Sequence, residues 1–201
     1  MNMQKHLPDG RRLILASTSP FRRELLIRLG LPFEVLAPAV DETKQSGEDP
    51  QRLVARLAES KARAIADRGY SALIIGSDQV AVLQGEILGK PGTHARAVAQ
   101  LSRASGRTVV FYTGLCLLDS ASGRLQVEVV PFRVSFRVLE AEQIERYLCR
   151  EQPYQCAGSF KSEGLGIALF ERLEGEDPTS LIGLPLIRLT RMLEMEGVKV
   201  L

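Results

Sequence analysis

The chain is most strongly patterned in Leu13-Ile-Leu-Ala-Ser-Thr-Ser-Pro-Phe-Arg-Arg-Glu-Leu-Leu26, where an apolar run gives way to hydroxyls, a proline and two arginines. The apolar run predicts a buried strand. Pro20 suits the first position of a following helix, and Gly30 suits the position just past its end. The first N–H groups of a helix lack intrahelical partners and the helix dipole is positive there. The stretch therefore predicts an oxyanion site, most simply for phosphate, between a strand and a helix.

Strand-like and helical patterns alternate along the rest of the chain. Strands are expected at Arg12–Ala16, Phe33–Ala37, Ala72–Gly76, Val80–Leu83, Glu86–Leu88, Thr108–Leu118, Leu125–Val138 and Gly166–Leu173. Helices are expected at Pro20–Leu29, from Pro50 to about Arg68, from Thr93 to before Gly106, at Ala141–Arg150 and at Leu184–Glu196. This mixture predicts an α/β fold in which a mixed twisted sheet is flanked by helices, with a central cleft between two lobes.

Composition narrows the class of protein. The 201 residues are 45% hydrophobic and 25% charged, which is typical of a soluble globular protein. This length allows one or two domains, and one α/β domain with a sizeable core is the simpler choice. We expect a loose N-terminal leader over residues 1–10 and a single domain over residues 11–201. With 26 lysines and arginines against 24 acidic residues, the net charge of +2 argues against a general nucleic-acid binder.

The lack of a recognisable secretory or membrane signal and the spacing of the cysteines favour a cytoplasmic protein. The first ten residues have neither an apolar core nor a small-residue cleavage pattern, so no secretory signal is expected. No apolar run approaches the roughly 18 residues that a membrane-spanning helix needs. Cys116, Cys149 and Cys156 form no CxxC pair, which favours reduced thiols that pack as small hydrophobic side chains.

Two carboxylates stand out after predicted strands. Asp78 follows the apolar run Leu73–Gly76, and a carboxylate at the end of a buried strand faces the crevice where open α/β sheets bind ligands. It suits a general base or a magnesium ligand, but a turn-forming aspartate is an equally good interpretation. Glu42, beside Asp41, could share a divalent ion with Asp78. Without further information, a solvated loop charge is the better interpretation of Glu42.

Three further features are weak when each is taken alone. Lys61 lies inside a long predicted helix, and Lys90 lies between a glycine and a proline. A solvated surface lysine is the better interpretation of each, although the fixed backbone makes Lys90 the stronger candidate of the two. The segment 158–166 is spaced by glycines that would allow close approach of its backbone to a ligand. Neither histidine has a ligand-like or triad-like setting.

Taken together, these segments resemble the Maf family of nucleoside triphosphate pyrophosphatases, with a Maf/ITPase-like fold. The matching segments are Ala16–Pro20, Arg22–Leu26, Asp41-Glu42, Arg56–Ala62, Gly76–Asp78, Gly89–Pro91, Ala157–Gly164 and Gly183–Pro185. They occur in order from about Leu13 to Leu193, nearly the whole chain.

The resemblance implies an enzyme that cleaves between the α and β phosphates of a nucleotide and requires a divalent cation, Mg²⁺ or Mn²⁺. It also suggests a homodimer. By position, Asp78 matches the proton acceptor and, with Glu42, would hold the metal. The residues matched to phosphate binding are Ser17, Arg22, Arg23, Lys61 and Lys90.

Three positions depart from the branch of the family that acts on dTTP and UTP. Phe21, Gln79 and Glu163 stand where that branch has arginine, threonine and glutamine, and they resemble the 7-methyl-GTP branch. N7-methylation makes guanine cationic, so an aromatic face and a carboxylate would both attract the base. The same phenylalanine could instead merely pack the helix start against the core.

Three functions therefore remain at this point. The favoured function is 7-methyl-GTP pyrophosphatase. A dTTP/UTP or broad modified-nucleotide pyrophosphatase is the alternative within the class. A nucleotide-binding regulator of cell division or septum formation is the alternative from another class, although a binding module would not need Asp78.

Overall fold

The structure is a computed structural model that describes residues 6–201. Its strands are β1 (Arg12–Ala16), β2 (Glu34–Leu36), β3 (Ala72–Leu83), β4 (Glu86–Leu88), β5 (Thr108–Asp119), β6 (Leu125–Phe136) and β7 (Phe170–Glu174). Its helices are α1 (Pro20–Ile27), α2 (Pro50–Ala66), α3 (His94–Ala104), α4 (Ala141–Glu151), α5 (Pro178–Ile182) and α6 (Leu186–Met195). Two short 3₁₀ helices lie at Ala157–Ser159 and Leu165–Leu169. No described helix is both long and apolar enough to cross a bilayer.

The strands form one mixed sheet in the order β2-β1-β3-β5-β6-β7, with β4 paired to β3. β1 runs parallel to β2 and β3, and all the other pairs are antiparallel. The predicted mixed sheet flanked by helices is confirmed. The first half of β3 pairs with β1 and its last residues pair with β4, while β5 lies along nearly all of it.

Apolar side chains collect in separate clusters along this sheet, and these clusters define two lobes. In the first lobe, α1 and α6 pack on β1 and on the first half of β3, with Leu7 also buried there. In the second lobe, α3 and α4 pack with the second half of β3 and with Phe111 and Phe160. Residues 1–5 of the predicted leader lie outside the described residues, so the division into leader and domain stays a prediction.

Two glycines let α2 lie unusually close to the sheet. A Cβ added to Gly76 would lie 2.0 Å from the carbonyl oxygen of Ala58, and one added to Gly114 would lie 2.1 Å from that of Val54. No real Cβ tolerates such contacts. Because Gly76 on β3 and Gly114 on β5 have no side chains, α2 can lie this close to the centre of the sheet.

Three local predictions are wrong. The strand expected to end at Gly76 continues to Leu83, because Ser77 and Gln79 find hydrogen-bond partners within the protein instead of ending the strand. The first part of the predicted strand Gly166–Leu173 is a 3₁₀ helix, and β7 begins only at Phe170. The last predicted helix begins at Leu186 and is preceded by α5, a five-residue helix capped by Asp177.

The three cysteines are free thiols. Cys116 is buried in the core as expected, and desolvation raises its pKa to about 12. Cys149 is exposed, so it does not pack as a core residue.

Candidate active site

A cavity of about 720 Å³ opens between the two lobes, which is within the usual range for small-molecule sites. Its walls are the start of α1, one face of α2, the centre of β3, the segment after β4 and the loop 155–163. Nine of the ten predicted site residues line it: Ser17, Phe21, Arg22, Glu42, Lys61, Asp78, Gln79, Lys90 and Glu163. The tenth, Arg23, is exposed and lies outside this lining.

Lys61 joins the two predicted carboxylates. Its Nζ lies 2.6 Å from Asp78 Oδ1 and 2.6 Å from Glu42 Oε1. The side chain of Lys61 is 6% exposed and that of Asp78 is 13% exposed, whereas that of Glu42 is 59% exposed. Burial raises the pKa of Glu42, but the hydrogen bond and charge of Lys61 outweigh it, so that the pKa is lowered overall. Lys61 is therefore a buried, paired charge, and Glu42 is paired with it although its side chain is more than half exposed.

Asp78 reaches the cavity from the middle of a strand. Its parallel neighbour β1 ends where Ala16 pairs with Gly76, so the β1 side of β3 is open just beyond that pair. Side chains alternate along a strand, so Asp78 shares the α2 face with Gly76. The close approach of α2 at Gly76 and Gly114 brings Lys61 within hydrogen-bond distance. The carboxylate thus faces a crevice, as expected, but where the neighbouring strand ends and not where its own strand ends.

Arg22, near the start of α1, is hydrogen-bonded to other parts of the protein. Its Nε donates to the Gly183 carbonyl oxygen at 2.8 Å, and its Nη1 lies 3.5 Å from Ser17 Oγ. Ser77 Oγ donates to the same Gly183 oxygen at 3.0 Å. Desolvation lowers the pKa of Arg22, and the negative charges of Asp78 and Glu42 oppose that shift.

The helix α1 begins at Pro20 as predicted, and the residue before it caps the helix. Ser19 is the N-cap, Pro20 is the first helical residue, and Ser19 Oγ accepts from the Arg22 N–H at 3.4 Å. Ser17 Oγ accepts from the Ser19 N–H at 3.1 Å. Two of the N–H groups at this end of α1 are therefore already bonded within the protein, and the Arg22 guanidinium adds a positive charge beside them in the cavity lining.

Gln79 points away from Asp78, toward the other face of the sheet. Its Nε2 donates to the carbonyl oxygens of Ser180 at 2.7 Å and Leu181 at 3.1 Å, and it lies 3.0 Å from Thr113 Oγ1. These acceptors fix which end of the amide faces α5, because only the nitrogen can donate. Gln79 therefore anchors α5 with its nitrogen, and only its Oε1 remains for a ligand in the cavity.

Phe21 and Glu163 lie in the same cavity although they are far apart in sequence. Phe21 is half-buried at the start of α1, and Glu163 is exposed on the loop after the first 3₁₀ helix. Glu163 Oε2 accepts a hydrogen bond from the hydroxyl of its neighbour Ser162, at 3.3 Å. An aromatic ring and a carboxylate thus share the lining of one cavity.

Sequence reasoning missed three contributors to the site. Gly114 lets α2 approach the sheet, Gly183 supplies a carbonyl that accepts two hydrogen bonds, and Cys156 lines the cavity. The pairing of Gly114 with Asp78 across β3 and β5 depends on strand register, which leaves no local signal in the sequence. A five-residue helix such as α5 is also too short to show helical periodicity.

Among residues 6–201, no cluster of three or more histidine, cysteine or acidic side chains could hold a metal ion alone. Glu42 and Asp78 nevertheless form a suitable pair of oxygen ligands. Mg²⁺ is commonly held by one or two carboxylates and substrate phosphates, not by a complete protein cage. The donor set therefore fits a divalent cation that arrives with a phosphorylated ligand.

A mixed α/β fold with acidic and basic groups meeting in one cleft defines a class of phosphate-handling proteins. The model of the family described as Maf-like protein matches residues 12–196, so the chain belongs to the Maf-like family. A relative from Nitrosococcus oceani, named 7-methyl-GTP pyrophosphatase, is 60% identical over the whole of both chains. Proteins of the same name from Pseudomonas aeruginosa and Albidiferax ferrireducens are 59% and 54% identical. Each aligns with 96% of this chain, covering 100% and 98% of their own lengths, respectively.

Proposed function

We propose that the chain hydrolyses 7-methyl-GTP to 7-methyl-GMP and pyrophosphate. The observation that carries this function is the contact of Lys61 with Glu42 and Asp78 in a cavity that also contains Phe21 and Glu163. The lining of this cavity combines groups suited to phosphoanhydride hydrolysis with groups that attract a cationic purine. The names of the relatives support the same substrate.

The reaction is a displacement at the α phosphorus. The oxygen of a water forms a bond to this phosphorus, the bond to the bridging oxygen breaks, and pyrophosphate leaves with the bonding electrons. Asp78 Oδ1 is hydrogen-bonded to Lys61, so Oδ2 is the oxygen left either to accept the proton of the water or to hold the divalent cation with Glu42. Lys61 keeps this carboxylate in one orientation, which is the contribution of a positioned base.

The charged groups of the cavity hold the phosphates. Its lining has three cations, Arg22, Lys61 and Lys90, and three carboxylates, Glu42, Asp78 and Glu163. These charges cancel, so the side chains alone cannot neutralise a triphosphate, and a divalent cation is needed. Glu42 and Asp78 would hold that ion. When bound, Mg²⁺ or Mn²⁺ would supply the charge that stabilises the leaving pyrophosphate.

The methylated base is recognised by charge and shape. The ring of Phe21 attracts a cationic base by about 0.5–2 kcal/mol, depending on desolvation. The Glu163 carboxylate can accept two N–H groups from the guanine edge while it neutralises the ring. Gln79 Oε1 adds a further acceptor, because the Gln79 nitrogen is bonded to α5.

The experiment is a nucleotide panel with the purified chain. Pyrophosphate release is measured from 7-methyl-GTP, GTP, UTP and dTTP with Mg²⁺ and with Mn²⁺, beside Asp78→Asn as the matched control. We expect the highest kcat/KM with 7-methyl-GTP, and loss of release by a factor of about 100 or more in the variant. Preference for UTP or dTTP would instead support the alternative within the class. Release at the wild-type rate by Asp78→Asn would exclude Asp78 as the base.

The resemblance also suggests a cytoplasmic homodimer. Sedimentation of the purified chain tests the oligomeric state, and fractionation of cells that express it tests the compartment. A purely monomeric chain would contradict the first part, and recovery outside the cytoplasm would contradict the second.

A further inference from the structure

Glu42 lies on a segment that has no regular secondary structure. Residues 37–49 connect β2 to α2 and contain neither helix nor strand. Glu42 itself is more than half exposed, and it forms an ion pair with Lys61. Since a side chain on such a segment is not positioned by a helix or a strand, something else must hold it in place.

Arg56, on the first half of α2, contacts this segment at two points. Its Nε and Nη2 donate to the two carboxylate oxygens of Glu48 at 2.6 and 2.9 Å. Its Nη2 also donates to the carbonyl oxygen of Thr43, next to Glu42, at 3.1 Å. A planar guanidinium can make these contacts together, whereas an ammonium cannot match the paired geometry.

Glu48 is the residue of this segment that pairs with Arg56. Its side chain is 7% exposed, and its Oε2 accepts from the Gln45 N–H at 3.0 Å. The hydrogen bond from Arg56 lowers the pKa of Glu48 to about 2, so the carboxylate is charged at any working pH. A local bond from the Thr43 N–H to Asp41 Oδ1 adds a turn beside Glu42.

We propose that Arg56 and Glu48 form a positioning clamp that holds the segment 41–48 against α2, so that Glu42 meets Lys61 and Asp78. Arg56 and Lys61 lie on the same helix, and the clamp therefore fixes Glu42 relative to its own ion-pair partner. Arg56 does not line the cavity, so it acts through Glu42 and not on the substrate. This inference rests on the proposed function only for the role of Glu42 in hydrolysis.

The exposed Lys44 provides a direct measurement of the clamp. Trypsin is added to the native chain, and the fragment that ends at Lys44 is followed by mass spectrometry. We expect Arg56→Gln and Glu48→Gln each to speed this cleavage several-fold, and the double variant to be no faster than either one. Arg56→Lys keeps the charge but loses the paired hydrogen bonds to Glu48, so we expect its cleavage rate to lie between those of the wild-type chain and Arg56→Gln.

Activity provides the second measurement. We expect kcat for 7-methyl-GTP to fall about 10-fold in Arg56→Gln, with KM for the nucleotide changed far less, because outer contacts of a metal ligand typically matter by 10–100-fold. We expect the Mg²⁺ concentration for half-maximal rate to rise, and Arg56→Lys to restore part of kcat. Arg63→Gln is the matched control, because Arg63 pairs with Glu59 on the same helix.

The two readouts separate the possible failures. Cleavage at Lys44 in Arg56→Gln and Glu48→Gln at the wild-type rate would overturn the clamp, as would a fall in kcat equal to that of Arg63→Gln. If the wild-type chain releases no pyrophosphate, the proposed function fails, while the cleavage rates still test the clamp. Circular dichroism checks that each variant is folded. If Arg56→Gln does not fold, Glu48→Gln tests the clamp in its place.

Discussion

Two sets of side chains that line the cavity differ in their contacts. We call the residues proposed to act at the phosphates (Arg22, Glu42, Lys61 and Asp78) the phosphate end, and those proposed to select the base (Phe21 and Glu163) the base end. At the phosphate end, Lys61 is bonded to two carboxylates, and Arg22 is bonded to the Gly183 carbonyl oxygen. At the base end, Phe21 lies half-buried at the start of a helix and Glu163 is exposed on a loop. Polar groups of the first set are bonded within the protein over long sequence distances, whereas Glu163 is hydrogen-bonded to its own neighbour Ser162.

With the proposed roles, this difference predicts that substitutions at the phosphate end affect the rate of hydrolysis, whereas substitutions at the base end affect the choice of nucleotide. A substitution at the phosphate end breaks contacts within the protein and leaves charges without their partners, so its effect should be large. A substitution at the base end changes little except the contact with the substrate. Selectivity can therefore change by one or two residues while the hydrolytic groups stay in place.

Removal of Lys61 is the strongest test of the phosphate end. In Lys61→Met, Glu42 and Asp78 face each other and the substrate phosphates without the intervening cation. We expect kcat/KM to fall about 100-fold or more, since breaking a buried ion pair typically costs a few kcal/mol. Steady-state pyrophosphate release measures this effect, with the exposed Lys199→Met as control. A fall in kcat/KM of less than about threefold would show that the contacts of Lys61 with Glu42 and Asp78 do not organise the site.

The adjacent arginines provide a matched pair. Arg22 donates to the protein and lines the cavity, whereas Arg23 is exposed and outside it. We expect Arg22→Gln to lower kcat/KM about 10- to 100-fold, the usual range for a lost charged hydrogen bond. Arg23→Gln should retain activity within about twofold. Equal losses in the two variants would mean that Arg23 also reaches the phosphates.

Close packing at the back of the phosphate end makes a prediction about stability. Gly114→Ala pushes a Cβ against the Val54 carbonyl oxygen, so α2 must move away from the sheet. We expect urea unfolding to show a loss of about 1–3 kcal/mol, the usual cost of overpacking. In Gly89→Ala the new Cβ would meet nothing within 4 Å. If both variants were equally stable, the close approach of α2 would not depend on the glycine.

Local patterns predicted most of these features, and non-local pairing explains those they missed. The junction of β1 and α1 was predicted correctly because its capping signals lie within a few residues of one another. The position of Asp78 was misjudged because a polar triplet resembles a strand end, whereas Ser77 and Gln79 are satisfied by residues more than 100 positions away. The difference between Arg22 and Arg23 likewise depends on where Gly183 lies, which no local pattern contains.

The base end predicts a change in selectivity without loss of hydrolysis. In the double variant Phe21→Arg/Glu163→Gln, the arginine repels the cationic base and the glutamine no longer neutralises it. We expect the ratio of kcat/KM for 7-methyl-GTP to that for UTP to fall about 2- to 30-fold, which corresponds to a lost cation–π contact. Phe21→Leu, which keeps the apolar packing, separates the contribution of the aromatic face. Unchanged ratios across 7-methyl-GTP, GTP, UTP and dTTP would show that these positions do not select the base.

The smallest effect concerns pH and the clamp beside the phosphate end. The hydrogen bond from Arg56 lowers the pKa of Glu48 from 4.5 to about 2. A carboxylate with a depressed pKa stabilises the fold fully above its ordinary pKa, and this stabilisation is lost as the pH falls toward the depressed value. We therefore expect the Tm difference between the wild-type chain and Glu48→Gln to be constant from about pH 8 to pH 5, and to shrink only below about pH 4.5. Thermal unfolding followed by circular dichroism measures the difference, with Glu59→Gln on α2 as control. A difference that already disappears between about pH 8 and pH 6 would show that a group other than Glu48 controls the clamp.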